Sequence, residues 1–140
     1  MINMEPTMLM WSTGDKNPLA YYRQVPGVKR LTVYFDTVPG QVVERARLDR
    51  VLDLLGEVGF GLAVVETFVI SNAIKLELAE RDEHIEAYCQ TLRNYGAAMR
   101  ARGLEGPYRI CYDFMGPENW WRNLLSVLDE EDRSCLGYDP

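Results

Sequence analysis

Gly61-Leu62-Ala63-Val64-Val65-Glu66 and, further on, Tyr108-Arg109-Ile110-Cys111-Tyr112-Asp113 are the two runs whose reading decides the fold. The first is short, apolar and rich in β-branched residues, and it closes on Glu66. The second has the same character and closes on Asp113. Between them lies a loop over 67–80, then a segment with apolar residues at Ile85, Tyr88, Cys89, Leu92 and Met99. Counted from Ile85 these stand at 3, 4, 7 and 14, along one stripe of a helix with 3.6 residues per turn. Gly103 and the Gly106-Pro107 pair stop that helix. Two buried strands joined through a helix are the βαβ unit of a parallel sheet. Ligands of such sheets sit beyond the carboxyl ends of the strands, where Glu66 and Asp113 stand.

Upstream the same grammar repeats. Met8-Leu9-Met10-Trp11 predicts a first strand, broken by the turn composition of Ser12-Thr13-Gly14-Asp15. Pro18 suits the first turn of a helix carrying Leu19, Tyr22 and Val25, which Pro26-Gly27 ends. Leu31-Thr32-Val33-Tyr34-Phe35 predicts the next strand, ending at Asp36. Leu48, Val51, Leu52, Leu55 and Val58 then mark an amphipathic helix closed by Gly59. Downstream, Asn119 can cap a last helix through Trp120, Trp121, Leu124, Leu125 and Leu128, and 129–140 reads as a closing loop.

The expected order is four consecutive parallel βα units in one α/β domain spanning 1–140, with loosely ordered ends at 1–7 and 129–140. Four such units form an open doubly wound sheet or half of an eight-stranded barrel, whose full length is about 250 residues. Periodicity does not separate these. A half-barrel would leave two sheet edges open and an inner face, read here as Val33, Val64 and Ile110 or their neighbours, without an opposite wall. Open edges invite pairing, so a homo-oligomer is expected, with two copies able to close a barrel.

Hydrophobic residues make up 47% and charged residues 26%, the composition of a soluble globular protein. No apolar run approaches the roughly 20 residues of a membrane span, and Met1–Glu5 has no secretory pattern. A net charge of −6 without a basic stripe argues against nucleic acid as a partner. The three cysteines, Cys89, Cys111 and Cys135, form no Cys-x-x-Cys pair. Cys89 and Cys111 read as small buried hydrophobes, and a reducing, cytoplasmic setting follows.

Asp36, Glu66 and Asp113 form the constellation of most interest. Each is the first carboxylate after an apolar strand, so all three are expected at one rim. Clustered carboxylates serve as acid and base or hold a cation; they also cap neighbouring helices. Trp11, Trp120 and Trp121 offer apolar faces to a sugar or to the core. Arg122 suits a substrate carboxylate in a bidentate fork, or solvent. His84, the only histidine, lacks a spaced partner and reads as a surface residue.

Several words of the sequence then resemble the mannonate dehydratase family, whose members are metal-dependent (β/α)8-barrel lyases. Val65-Glu66-Thr67 with Ile74-Lys75-Leu76 resembles the family's Glu-Ser segment and downstream Ile-Lys. Ile85-Glu86-Ala87-Tyr88-Cys89-Gln90-Thr91-Leu92-Arg93-Asn94 is similar to its long helix. Cys111-Tyr112-Asp113-Phe114-Met115 resembles its Cys-Tyr-Asn-Phe-Met strand end, continued by Trp120 and Arg122, and Val38-Pro39-Gly40-Gln41-Val42 fits a family loop.

The resemblance implies half of a barrel, dehydration of D-mannonate, and Mn2+ or Fe2+ as cofactor. It points to Glu66 and Asp113 as the catalytic candidates, and Trp11, Asp36 and Arg122, read from their placement and side-chain chemistry, are expected at a sugar acid. The family's metal ligands come from later barrel strands, so no metal ligand is expected in this chain and its activity alone is doubtful. The chain also departs from the family: Ser71-Asn72-Ala73 stands where the family carries His-Glu-Asp, Asp113 replaces an Asn, and Gly116 replaces a Pro. A non-catalytic remnant or partner subunit is the competing expectation, and a sugar isomerase on a related barrel the third.

Overall fold

The computed structural model describes residues 4–12, 19–104, 106–112, 114, 124–128 and 134–137. Three strands, β1 (Thr7–Trp11), β2 (Arg30–Tyr34) and β3 (Gly61–Thr67), form a parallel sheet in chain order. The connections are a six-residue 3-10 turn, Leu19–Gln24, and helix α1, Arg45–Glu57. After β3 come the short helix α2 (Asn72–Lys75) and the long helix α3 (Arg81–Ala101). This is the α/β parallel arrangement expected from the apolar runs and the helical stripes.

Alternation along the strands sorts their side chains into two sets. Leu31, Val33 and Val65 are fully buried, and Met10 and Phe35 are 2% exposed. They pack with Leu48, Val51, Leu52 and Leu55 of α1 and with Tyr95, Ala98 and Met99 of α3. Each fully buried side chain of this kind contributes about 1.5–3 kcal/mol over leaving it in water. Phe68 joins Phe35 and Tyr95 at ring-centroid distances of 5.3 and 5.9 Å. Helices α1 and α3 are clipped together by Arg102, which donates to Asp49 at 2.5 Å and also to Asp53. Val33 therefore belongs to the helix-packed core and not to the opposite face assigned to it from sequence. Ile110 also packs against that core, while Val64, one register position away, is half-buried.

The structure corrects several further expectations. The segment after β1 is 3-10 and not α-helical, because Pro26-Gly27 leaves only six residues, two tight turns, for Leu19, Tyr22 and their neighbours. The loop over 67–80 contains α2, capped by Ser71, whose hydroxyl accepts the Ile74 N–H. The run 108–112 is not a full strand. Val65 N–H donates to the Arg109 carbonyl at 3.1 Å, Cys111 N–H donates to the Val65 carbonyl at 2.8 Å, and Ile110 makes a single parallel bridge to Val65. Because Ile110 turns inward, its neighbour Cys111 turns out and is exposed, and Cys89 is only half-buried.

The last helix expected through Leu124 and Leu128 is instead a strand, β4 (Leu124–Leu128), in an antiparallel pair with β5 (Ser134–Gly137). Five apolar-rich residues carry no helical signature by themselves, and a second short run beyond a polar link supplies the partner. The closing loop thus contains a strand as well.

Candidate functional site

The carboxyl ends of β1, β2 and β3 meet their exit loops along one rim. Parallel pairing places Trp11 beside Tyr34, with ring centroids 4.4 Å apart and planes tilted by 53°. Both lie on the face of the sheet that the helices leave bare: Trp11 is 48% exposed and Leu9, on the same face of β1, 45%. Together they make an aromatic wall at the end of the sheet. Tyr34 was not among the residues singled out from sequence, since its role depends on register.

Asp36 lies two residues past β2 and is exposed. Its backbone is fixed on both sides. The N–H donates to Ser12 Oγ at 3.3 Å, and the carbonyl accepts from Arg47 Nη2 at 2.5 Å. The same guanidinium reaches Ser12 Oγ at 3.4 Å, so the first turn of α1 ties the ends of β1 and β2 together.

Glu66 is the next-to-last residue of β3 and is half-buried. Val33 pairs with Val65 while Tyr34 pairs with Thr67, so Glu66 is the unpaired residue of a bulge. A bulge turns a side chain out of the regular alternation and is common beside functional sites. Sequence spacing located the carboxylate but not the bulge, because a one-residue slip in pairing leaves no mark in a β-branched run.

Of the remaining candidates, Asp113 and Arg122 lie outside the described residues, as do Trp120 and Trp121. The structure therefore brings Trp11, Asp36 and Glu66 to one rim.

His84 differs from its surface reading. It is half-buried, and its Nδ1 stands 2.8 Å from the Ser71 hydroxyl. Its ring packs on Gly40, whose φ of +82° is the left-handed conformation that glycine adopts freely. Around it Thr37, Gln41, Val43, Phe68, Ser71, Tyr88 and Thr91 enclose a cavity of about 10 Å³, room for a single water. Burial pushes the Tyr88 phenol above its ordinary range, and the neighbouring Tyr112 and Cys89 add to the shift. Two signals for this cluster were present in the sequence: the sole histidine, and a serine three residues before Ile74 that suits a helix cap.

Among the described residues no three His, Cys, Asp or Glu side chains converge. The described part of this chain does not by itself fit the metal that the resemblance implies. No helix among the described residues is long and apolar enough to cross a membrane.

The fold and rim define an α/β protein of the parallel-sheet class with its polar candidates at the carboxyl ends of the strands. Within that class, the chain belongs to the D-mannonate dehydratase (UxuA) family, whose model matches residues 4–140. Mannonate dehydratase 1 of Halalkalibacterium halodurans is 33% identical over 126 residues, covering 89% of this chain and 33% of that protein. The mannonate dehydratase of Endomicrobium trichonymphae is 32% identical over 126 residues, with the same coverage of 89% and 33%. The crystal structure of mannonate dehydratase from Streptococcus suis serotype 2 has a TM-score of 0.77 at 24% identity, over 96% of this chain and 37% of that one. The chain thus spans about a third of the length of the relatives it matches.

Proposed function

We propose that this chain carries the first part of a mannonate-dehydratase-type hydro-lyase, its βα units being the N-terminal half of a (β/α)8 barrel. The observation that carries the reading is the family match over nearly the whole chain. That match favours the dehydratase over the sugar isomerase alternative. The substrate class is a small sugar acid, D-mannonate by family, and the setting a cytoplasmic one. The reaction removes the proton next to the substrate carboxylate and expels the neighbouring hydroxyl as water; the resulting enol becomes the 2-keto-3-deoxy acid.

In this reading the Trp11–Tyr34 wall packs against the apolar edge of the sugar chain and excludes water. Glu66, lifted out of the ladder by its bulge, is the carboxylate available to take or return a proton. Asp36, with its backbone held by Ser12 and Arg47, accepts hydrogen bonds from substrate hydroxyls. Asp113, where the family carries an Asn, adds a further carboxylate, and Arg122 is the guanidinium suited to the substrate carboxylate. A divalent Mn2+ or Fe2+ would supply Lewis-acid chemistry when bound, and the described side chains do not by themselves form its site.

One observation favours the second reading, a non-catalytic remnant or partner subunit. Ser71, which stands first in the family's His-Glu-Asp positions, is committed to capping α2 and to His84. A second copy of the chain is proposed as a partner in this second reading, because two bare sheet faces can cover each other's Leu9 and Trp11.

The experiment joins this chain in frame to the carboxyl-terminal two-thirds of the Halalkalibacterium halodurans enzyme and assays 2-keto-3-deoxygluconate formation from D-mannonate. Turnover is expected, with Glu66→Gln lowering kcat by about a hundredfold or more. A folded chimera that turns over only after Ser71→His, Asn72→Glu and Ala73→Asp are introduced would establish the remnant reading instead. A chimera inactive in both forms would sink the lyase reading.

A further inference from the structure

The His84 imidazole touches both exit loops of the rim. One edge, Nδ1, meets the Ser71 hydroxyl, which belongs to the exit loop of β3. The other lies on Gly40 of the β2 exit loop, where an added Cβ would fall within 2.7 Å of three ring atoms. The ring itself is carried by the first turn of α3. That helix grips the β2 loop at a second point. Val43 N–H donates to Thr91 Oγ1 at 2.9 Å, and Asn94 Nδ2 donates to the Val43 carbonyl at 3.0 Å. A direct tie completes the arrangement, with Val69 N–H donating to Thr37 Oγ1 at 3.1 Å.

We propose that His84 is a positioning residue that couples the exit loops of β2 and β3 into one rigid rim, presenting Asp36 and Glu66 to a ligand in a fixed relation. The ligand clause rests on the dehydratase reading; the coupling does not.

The hydrogen-bond inventory lets one hydroxyl serve both contacts. A serine hydroxyl has one proton to give and two lone pairs. Ser71 Oγ uses a lone pair on the Ile74 N–H at 3.4 Å. Its proton and its second lone pair both remain available to Nδ1, so the contact at 2.8 Å forms with either tautomer of the ring. In that arrangement one hydroxyl caps α2 and pins the ring at once. Gly40 is required twice over, by its positive φ and by the absence of room for a side chain. The cavity beside the ring admits about one water, so the contact is a closed joint between loops and not a pocket for a substrate.

The test is amide hydrogen exchange by NMR on the full chain, comparing wild type with His84→Ala, His84→Asn, His84→Gln and Ser71→Ala. The reporters are the Val43 and Val69 amides, which donate the hydrogen bonds of the two loops, with Leu52 and Leu55 of α1 as references. The Asn carbonyl oxygen stands where Nδ1 stands, whereas Gln reaches only the far side of the ring. His84→Ala, His84→Gln and Ser71→Ala are expected to speed exchange at both reporters by about tenfold or more, with the references unchanged. His84→Asn should restore most of the protection, and His84→Ala combined with Ser71→Ala should exchange no faster than either alone. Unchanged exchange at Val69 in His84→Ala, acceleration confined to one loop, or equal losses in the Asn and Gln variants would each overturn the proposal. Should His84→Ala fail to fold, Ser71→Ala and the Asn–Gln pair carry the same comparison. None of these readouts depends on turnover, so they fail independently of the dehydratase reading.

Discussion

The two faces of the parallel sheet are built from the same strands and treated in opposite ways. On one face Met10, Leu31, Val33, Phe35 and Val65 are sealed beneath α1 and α3. On the other, Leu9 and Trp11 stay nearly half exposed and Tyr34 is half-buried. The first face carries the stability of the fold, since buried apolar area is the dominant favourable term. The second holds large side chains that contribute little to folding of this chain and are available for contact. The proposed function draws its residues from the bare face and the rim above it.

The sharpest way to break that comparison is to cut each face in turn. Phe35→Ala should cost about 3–5 kcal/mol in urea unfolding. A loss below about 1 kcal/mol would mean that the helix-packed face is not the stabilising one. High pH attacks the same face through Tyr95, which is 3% exposed. Burial, with a lesser contribution from Tyr108, pushes its phenol up to about 12. A proton held more tightly in the folded state means stability is full below the unfolded value near 10 and is lost as pH rises towards 12. The loss from this one group is about 3 kcal/mol. Unfolding midpoints between pH 9 and 12 should fall for the wild type and fall less for Tyr95→Phe; equal slopes would refute the assignment.

The rim stands between the two faces in cost. Gly40→Ala forces a side chain into the left-handed region and against the His84 ring, for an expected loss of about 1–3 kcal/mol. Thermal melting decides it, and an unchanged midpoint would show that the ring is not held there. On the bare face, Trp11→Ala should change stability by less than about 1 kcal/mol. It should nevertheless weaken self-association in sedimentation velocity, and a wild-type chain that stays monomeric would remove the second copy from the proposal.

The smallest effect is expected at the outer clip of the helices. Arg102, and secondarily Arg45, hold the Asp49 carboxyl below its ordinary range. A lowered folded value stabilises above the unfolded one, and the contribution fades as pH falls through the folded value. Asp49→Asn should therefore matter slightly at neutral pH and not at all in acid, which paired acid and neutral melts can check.

Much of this architecture is legible in the chain. Local periodicity marks the apolar runs of β1, β2 and β3 and the stripes of α1 and α3, because burial on one side imposes a period of two or 3.6 whatever the neighbours are. Gly59 and Gly103 mark helix ends for an equally local reason. The carboxylates Asp36 and Glu66 follow from strand ends alone, and the family words around Glu66 and the long helix carry the kinship. Partnership is what local pattern does not encode. The pairing of Leu124–Leu128 with Ser134–Gly137 depends on a second segment, and a five-residue apolar run fits strand or helix equally well by itself. Which alternate residues of β2 face the helices, and hence that Val33 is core while Tyr34 joins Trp11, was decided by docking α1 and α3 on one side of the sheet. The bulge at Glu66 exists only in register with β2. Likewise His84 and Ser71, 13 residues apart, meet because α3 returns across the rim, and only that return converts a solitary histidine into a joint.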